Sequence, residues 1–547
     1  MCCTASLGAH AAAASHRPMG LVTLITVVSE AGADPSRLVA SLRRQSDPNW
    51  ELIVVDTTDG VRRQLRAGRT KDRIRLLART GIAPAIAAAE ALGEATGDFA
   101  GFVGPDDTLA PAAITTLVAR TRPDVDLLYS DEDRSTADGH HVDPFYKPGW
   151  SPDRLRVQPY TGRLTLFRRE LAGEIGGIRR DAGGAYEWDL VLRVGERARG
   201  VEHCAEVLCH RHFSPSDDRD RRVDEQRVLE DHLDRTGFPA TLERGDDPPA
   251  WRLRPQLRDE PLVSIVIPTA GRSRMVHGSP TNLVINCVEH LVARSTYSNY
   301  EIVCVADDEL GDPTRTALHD LGGDKVRFVA NPGSFNFSRA INLGALHARG
   351  DYLILLNDDT QVITPDWIEA MLMYGQDPDV GAVGAKLLFA DGRLQHGGII
   401  AVGRGAGHPC YGFPGDYTGH ADHLVLPANY LAVTGACLLT RRDRFEEVGG
   451  FATLFPLNYN DIDYCLKLHH RGYRVVFNPD ARLYHFELSS RISGTVDDVE
   501  LQALDERWGT VLERDPFYNP NFMPSTDFLP PVRSAADMHR TADLASP

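Results

Sequence analysis

The chain has 547 residues, 42% of them hydrophobic and 25% charged, with a formal net charge of −17 at pH 7. That length exceeds one hydrophobic core, so two or more soluble domains are expected. The acidity excludes a general nucleic-acid binder, no apolar run of about 18 residues is present to span a membrane, and nine cysteines without a CxxC pair argue against structural zinc and for a reducing, cytoplasmic location.

Residues 1–20, "MCCTASLGAHAAAASHRPMG", carry an Ala-rich run with no basic residue ahead of it. They read as a disordered extension, with a working start near Met19, and not as a secretory signal. A first module is expected over 21–215. It opens on the apolar run "LVTLITVVSE", which suits a parallel strand buried on both faces. A helix-like segment and the strand "WELIVVD" follow, ending in Asp56. "GDFAGFVGPDD" then delivers Asp106 and Asp107 to a strand end, "EWDLVLR" places Glu187 and Asp189 at a helix start, and "VLCH" ends on His210. Residues 216–260 combine a helical pattern, closed by Gly237, with the Pro-rich charged run "DDPPAWRLRPQLRDEP", and read as a linker.

The second module, 261–510, repeats the order. "LVSIVIPTAG" contains Pro268 and Thr269, and "YEIVCVADD" ends in Asp307 and Asp308. "GDYLILLNDD" aligns with "GDFAGFVGPDD" on its Gly-Asp pair, which sets Asp106 on Asp359 and Gly104 on Asn357. The matches continue in sequence: "GRLTLFRREL" with "GACLLTRRDR", "EIGGI" with "EVGGF", "EWDLVLR" with "DIDYCLK", and "VLCH" with "RLYH". The chain reads as one module used twice. Strand–helix–strand spacing predicts an α/β fold with a mostly parallel, Rossmann-like sheet in each copy, and ligands bind beyond the carboxyl ends of such strands. Residues 511–547 are Pro-rich and polar and are expected to form an extended tail.

Asp358 and Asp359 follow the apolar Leu353–Leu356, and a turn is the plain explanation for acids there. Their position at a carboxyl end makes them binding candidates as well. In "NDIDYCLKLHHRGY", Asn460 is the expected helix cap, Asp461 and Asp463 fall in the first turn, and Gly472 ends the helix. Asp461 fits both a helix-start residue favoured by the dipole and a general base. His485 fits both a structural histidine and a metal ligand paired with a distant carboxylate. A carboxylate with an imidazole and open solvent positions suits Mn²⁺ or Mg²⁺ beside a diphosphate.

The stretches "SIVIPT", "FNFSRAINLG", "GDYLILLNDDTQVITPDWI", "VGAVGAKLL", "QHGG", "VTGACLLTRR", "EVGGF", "NYNDIDYCLKLHHRGYRV" and "LYHFELSSR" resemble a family 2 glycosyltransferase of the GT-A fold. The first module resembles the same fold over 21–213, and its "LLYSDEDRS" and "DPFYKPGWSPDRL" resemble tandem bacterial enzymes that build surface polysaccharide. The resemblance implies two tandem GT-A modules and inverting hexosyl or deoxyhexosyl transfer. The donor is a nucleotide-diphospho-sugar, and the acceptor a glycan or polyprenyl-linked oligosaccharide. It implies Asp461 as base, Asp359 and His485 as ligands of Mn²⁺ or Mg²⁺, and Pro268, Thr269, Asp307, Asp308, Asn357 and Asp358 around the nucleotide-sugar. Asp463 and Asn460 are acceptor-side or supporting candidates. A second site is a candidate at Asp56, Asp106, Asp107, Glu187, Asp189 and His210, and the alternative is a first module that only binds glycan or serves as a scaffold. The resemblance also implies peripheral association with the inner face of the plasma membrane, although no amphipathic helix is evident to carry it. A dinucleotide-dependent oxidoreductase is disfavoured, because "SIVIPTAGR" lacks a Gly-rich turn. A nucleotidyltransferase is disfavoured for want of a basic Gly-rich signature near the N-terminus.

Overall fold

The computed structural model describes residues 20–30, 33–61, 73–136, 138–212, 219–245, 250–486 and 498–522. The N-terminal extension up to residue 19, the segment 487–497 and the tail beyond residue 522 lie outside the described residues.

Two compact units are present. One comprises residues 1–144 and 161–225, the other residues 145–160 and 226–547. In the first unit, strands Ile74–Ala78, Trp50–Asp56, Val22–Val28 and Phe99–Phe102 lie side by side and parallel. Leu166–Arg168 joins antiparallel, then come Leu127–Ser135, Val201–His212 and the short Thr108–Leu109. In the second unit the same succession reads Val326–Asn331, Tyr300–Asp307, Val263–Thr269, Tyr352–Leu356, Cys437–Arg441, Val380–Leu388, Arg474–His485 and Thr360–Val362. Strand order and direction agree throughout, so the repeat read from the sequence is a repeat of topology.

The central strands are buried and mostly apolar because helices cover both faces. Val263–Thr269 is buried at every residue. The shared Gly-Asp pair has a steric cause. A Cβ at Gly97 would lie 2.4 Å from Leu21 O, and one at Gly350 2.4 Å from Leu262 O. Each glycine N–H donates to a buried hydroxyl, Thr23 Oγ1 at 2.9 Å or Ser264 Oγ at 2.8 Å. Each hydroxyl in turn donates to a glutamate, Glu51 or Glu301, at 2.7 Å. The buried polar group is satisfied in the same way in both copies.

The stretch 216–260 is more ordered than a plain linker. It holds the helix Arg219–Thr236 and an antiparallel hairpin of Ala240–Arg244 with Trp251–Pro255. Residues Phe145–Tyr160 belong to the second unit. Asp153 there is fully buried and needs partners. It receives Asn429 Nδ2 at 2.7 Å and Arg474 Nε at 3.1 Å. The described start of the tail is packed: Asp515 Oδ2 accepts Ala401 N–H at 2.8 Å, and Phe522 is buried.

Candidate functional site

In the second unit, parallel register places Thr269 beside Ala306 and Asp307 beside Asn331. The strands carrying Pro268 and Thr269, Asp307 and Asp308, and Asn357 to Asp359 therefore end on one edge of the sheet. Thr269 Oγ1 donates to Asp358 Oδ2 at 2.6 Å. Burial and the neighbouring Asp359 charge push the Asp358 carboxyl up to about 6. Asp307 accepts Asn331 Nδ2 at 3.3 Å, and its pKa is raised by burial and by Glu309 and Asp308. Asp308 accepts Gly333 N–H at 3.4 Å.

Thr360 pairs with His485, which brings the preceding Asp359 to the imidazole. Asp359 Oδ1 lies 3.0 Å from His485 Nε2, and Asn357 Nδ2 lies 3.2 Å from the same nitrogen. His485 Nδ1 is 2.7 Å from Gln395 Oε1. An amide oxygen only accepts, so Nδ1 donates and neutral His485 keeps its Nε2 electron pair toward Asp359. Burial opposes the Asp359 charge, but positive charge at this place outweighs it: His485, when protonated, holds the carboxyl below its usual range. The buried Asn357 Oδ1 and Asp359 Oδ1 receive no hydrogen bond. Carboxylate, amide oxygen and imidazole nitrogen together are a donor set that fits a hard divalent cation.

Asp461 sits in the first turn of the helix Asn460–His470. Its Oδ2 accepts Gly435 N–H at 2.9 Å and its Oδ1 accepts Ile462 N–H at 2.9 Å. Burial nevertheless raises its pKa above the ordinary carboxylate value, against those bonds. The helix N-terminus alone would have depressed it. A cleft of about 620 Å³ is lined by Asn357, Gln395 and His485 together with Thr434, Gly435 and Asp461.

Asn460 is not the cap. It opens the helix itself, and Tyr459 precedes it in the left-handed conformation, φ 59° and ψ 4°. A tyrosine there stores about 1–3 kcal/mol of strain, a recurrent mark of working sites. The matching residue of the first unit, Ala185, has an unstrained φ of −96°.

Asp463 does not face an acceptor. It is fully buried, and its Oδ1 accepts both Arg507 Nε and Trp508 Nε1 at 2.9 Å. Asp463→Ala should therefore cost about 1–3 kcal/mol by leaving Trp508 Nε1 without its acceptor and Arg507 without its carboxylate. Urea unfolding checks this, and a loss below about 1 kcal/mol would mean that the contact carries no weight.

The first unit departs from its counterpart in one consistent way. Thr108 pairs with His210 as Thr360 pairs with His485. The structural counterpart of Asp359 is thus Asp107, not Asp106, because the first loop is one residue longer. Asp106 only accepts Asp34 N–H at 3.2 Å. Asp107 accepts Gly104 N–H at 2.6 Å, and burial raises its pKa although Arg163 stands 3.8 Å away. Arg163 also forms an ion pair with Glu187, and the Glu187 charge holds the guanidinium strongly protonated. Asp189 is buried between Arg193 at 2.6 Å and Arg179 at 3.0 Å. Asp56 closes its own loop: burial disfavours its charge, but hydrogen bonds from Thr58 and Val61 lower its pKa overall. His210 turns to Asp133, at 2.7 Å. An arginine thus occupies the position aligned with Ala436 and neutralises the carboxylates expected to work.

Sequence reasoning missed Gln395, Thr434, Gly435 and Tyr459. "QHGG" and "VTGA" contained three of them without indicating a role. Arg163 opposite Ala436 was visible in the aligned repeats.

The family model for glycosyl transferase family 2 matches residues 33–176 and again 264–448. The chain belongs to glycosyl transferase family 2. The two sheets are the tandem GT-A modules expected of that family. Among its relatives, O-antigen biosynthesis protein RfbC of Myxococcus xanthus is 34% identical over 93% of this chain and 40% of its own length. The N-acetylglucosaminyl-diphospho-decaprenol L-rhamnosyltransferase of Mycobacterium tuberculosis (strain CDC 1551 / Oshkosh) is 28% identical over 26% of this chain and 48% of its own. The chain therefore spans less than half the length of either relative. A solved structure of GalNAc-T7 with UDP, GalNAc and Mn²⁺ is 17% identical, with a TM-score of 0.38, covering 49% of this chain and 52% of that one.

Proposed function

We propose that the second unit transfers a hexosyl or deoxyhexosyl group from a nucleotide-diphospho-sugar to a hydroxyl of a growing glycan, with inversion, in the synthesis of a cell-surface polysaccharide. The observation that carries this reading is the single cleft that joins the Asn357–His485 cluster to a half-buried Asp461 of raised pKa. In this reading Asp461 takes the proton from the attacking hydroxyl. Asp359 and His485 hold Mn²⁺ or Mg²⁺, with Asn357 beside them, and the ion supplies neutralisation of the diphosphate charge. Thr269 keeps Asp358 turned to the strand edge, and Pro268, Asp307 and Asp308 border the space assigned to the nucleotide.

Relatives named for O-antigen biosynthesis and for a diphospho-decaprenol acceptor support a polyprenyl-linked acceptor. Such an acceptor would bring the chain to the inner face of the plasma membrane as a peripheral protein. No helix among the described residues is long and apolar enough to cross a membrane.

Inversion is the outcome expected where Asp461 acts as base and the other acid of its helix start is not available as a nucleophile. Asp463, the other acid of the helix start, is spent on Arg507 and Trp508. A screen of nucleotide-diphospho-sugars with a lipid-linked acceptor tests the activity. Product NMR should show the anomeric configuration opposite to that of the donor, and a retained configuration would rule the mechanism out.

A further inference from the structure

The first unit carries a cluster that its counterpart lacks. We propose that Asp133, His141 and His210 form a binding site for a divalent transition cation, separate from the Asp359 and His485 pair. The inference is independent of the transfer reading, since it concerns residues of the first unit alone.

Three neighbouring strands bring the donors together. Asp133 lies on Leu127–Ser135, His141 on His141–Phe145, and His210 on Val201–His212, where it is in register with Asp133. One ligand atom from each falls within 4.8 Å of the others. Asp133 Oδ1 is 2.7 Å from His210 Nδ1 and 3.5 Å from His141 Nδ1. Donors bound tetrahedrally at about 2.1 Å stand about 3.4 Å apart, so small side-chain movements suffice to enclose an ion. The two imidazole rings approach to 3.9 Å between centroids, and the half-exposed His141 must swing outward to share an ion, since rings on one tetrahedral ion have centroids about 5 Å apart.

The cluster is graded in exposure. The Asp133 side chain is 8% exposed and that of His141 is 49% exposed, which leaves room for water as further ligands. Two imidazoles with one carboxylate suit Zn²⁺, Co²⁺ or Ni²⁺ better than Mg²⁺. The arrangement does not copy the second unit, where the histidine faces the acid at the end of the short loop. Here that acid, Asp107, is engaged by Gly104 and Arg163, and both partners of His210 come from the adjoining hairpin. The ion would pin that hairpin to Val201–His212 and would do no chemistry.

The test uses the full chain without an affinity tag, carrying Asp359→Asn to remove a ligand of the other site, and titrates it with Co²⁺. The expected result is one bound ion with a visible d–d band of nitrogen-containing low-coordinate Co²⁺, displaced by Zn²⁺. Adding His141→Ala should weaken binding by more than about 10-fold, since even an outer partner of a ligand is worth 10–100-fold. His141 is half exposed, so that variant should keep its fold, checked by circular dichroism. No bound ion in the Asp359→Asn chain, or a band unchanged by His141→Ala, would overturn the site.

Discussion

Asp461→Asn should lower kcat by about 10²–10⁴-fold, the usual worth of a positioned general base, while leaving KM for the nucleotide-sugar nearly unchanged. The substitution keeps the size of the side chain but only one acceptor oxygen, so proton acceptance is lost together with one of the two hydrogen bonds from Gly435 and Ile462 N–H. The pH dependence makes the test sharper. Burial raises the pKa of Asp461, and a base works only when ionised. Wild-type kcat/KM should therefore rise with pH through a value above the ordinary carboxylate range, and the residual activity of the variant should lack that limb. The stability consequence has the opposite sign. A carboxyl whose folded pKa is raised favours the protonated folded state; that contribution is present below the unfolded pKa of about 3.8 and is lost as pH rises through the folded value. At pH 7 its charge is a cost, which Asp461→Asn removes while giving up one hydrogen bond worth about 0.5–1.5 kcal/mol, so the variant should melt close to wild type. A variant that melts lower and keeps its kcat would assign Asp461 to structure.

Chelation should abolish transfer, and Mn²⁺ or Mg²⁺ should restore it. Asp359→Ala should reduce the rate by about 100-fold or more, beyond the loss seen for outer partners of metal ligands, and added ion should not rescue it at concentrations that restore wild type. The reasons are structural. Gln395 leaves the His485 Nε2 electron pair 3.0 Å from Asp359 Oδ1, with Asn357 Nδ2 3.2 Å from the same nitrogen. Buried acceptors aimed at one another are costly unless a cation or proton lies among them. Gln395→Ala should weaken metal affinity by about 10–100-fold without removing a ligand, so that more added ion is needed for the same rate. An undiminished rate in excess chelator would remove the ion from the mechanism.

Much of the fold was legible because parallel strands buried on both faces leave uninterrupted apolar runs, as in "VSIVIPT" and "VTLITVV". The duplication was legible because steric demands recur with it, the Gly-Asp pair above all. The position of Asp461 at a helix start was legible from local pattern, but its pKa was not: the helix dipole is a local property and burial is a tertiary one. The partners of Asp463 were not legible for the same reason, since Arg507 and Trp508 lie more than 40 residues on in the chain. The one-residue difference between the two strand-end loops appeared only in strand pairing. No sequence spacing reports a register that depends on a strand about 100 residues away.

The two units share a topology and differ in chemistry. The second has a strained Tyr459 and a half-buried base. The first has relaxed backbone at Ala185 and an arginine between its two acids. Backbone strain recurs at working sites, and at the matched helix starts it lies in the second copy, at Tyr459 against Ala185.

Initial rates of sugar transfer for two variants of the full chain, Asp461→Asn and Glu187→Gln, compared side by side with one donor and one acceptor, test this asymmetry most directly. The account predicts a loss of orders of magnitude for Asp461→Asn. For Glu187→Gln it predicts near-wild-type first transfer, with at most a change in product length. Loss of the first transfer in Glu187→Gln, with transfer kept in Asp461→Asn, would place the working site in the other half of the chain.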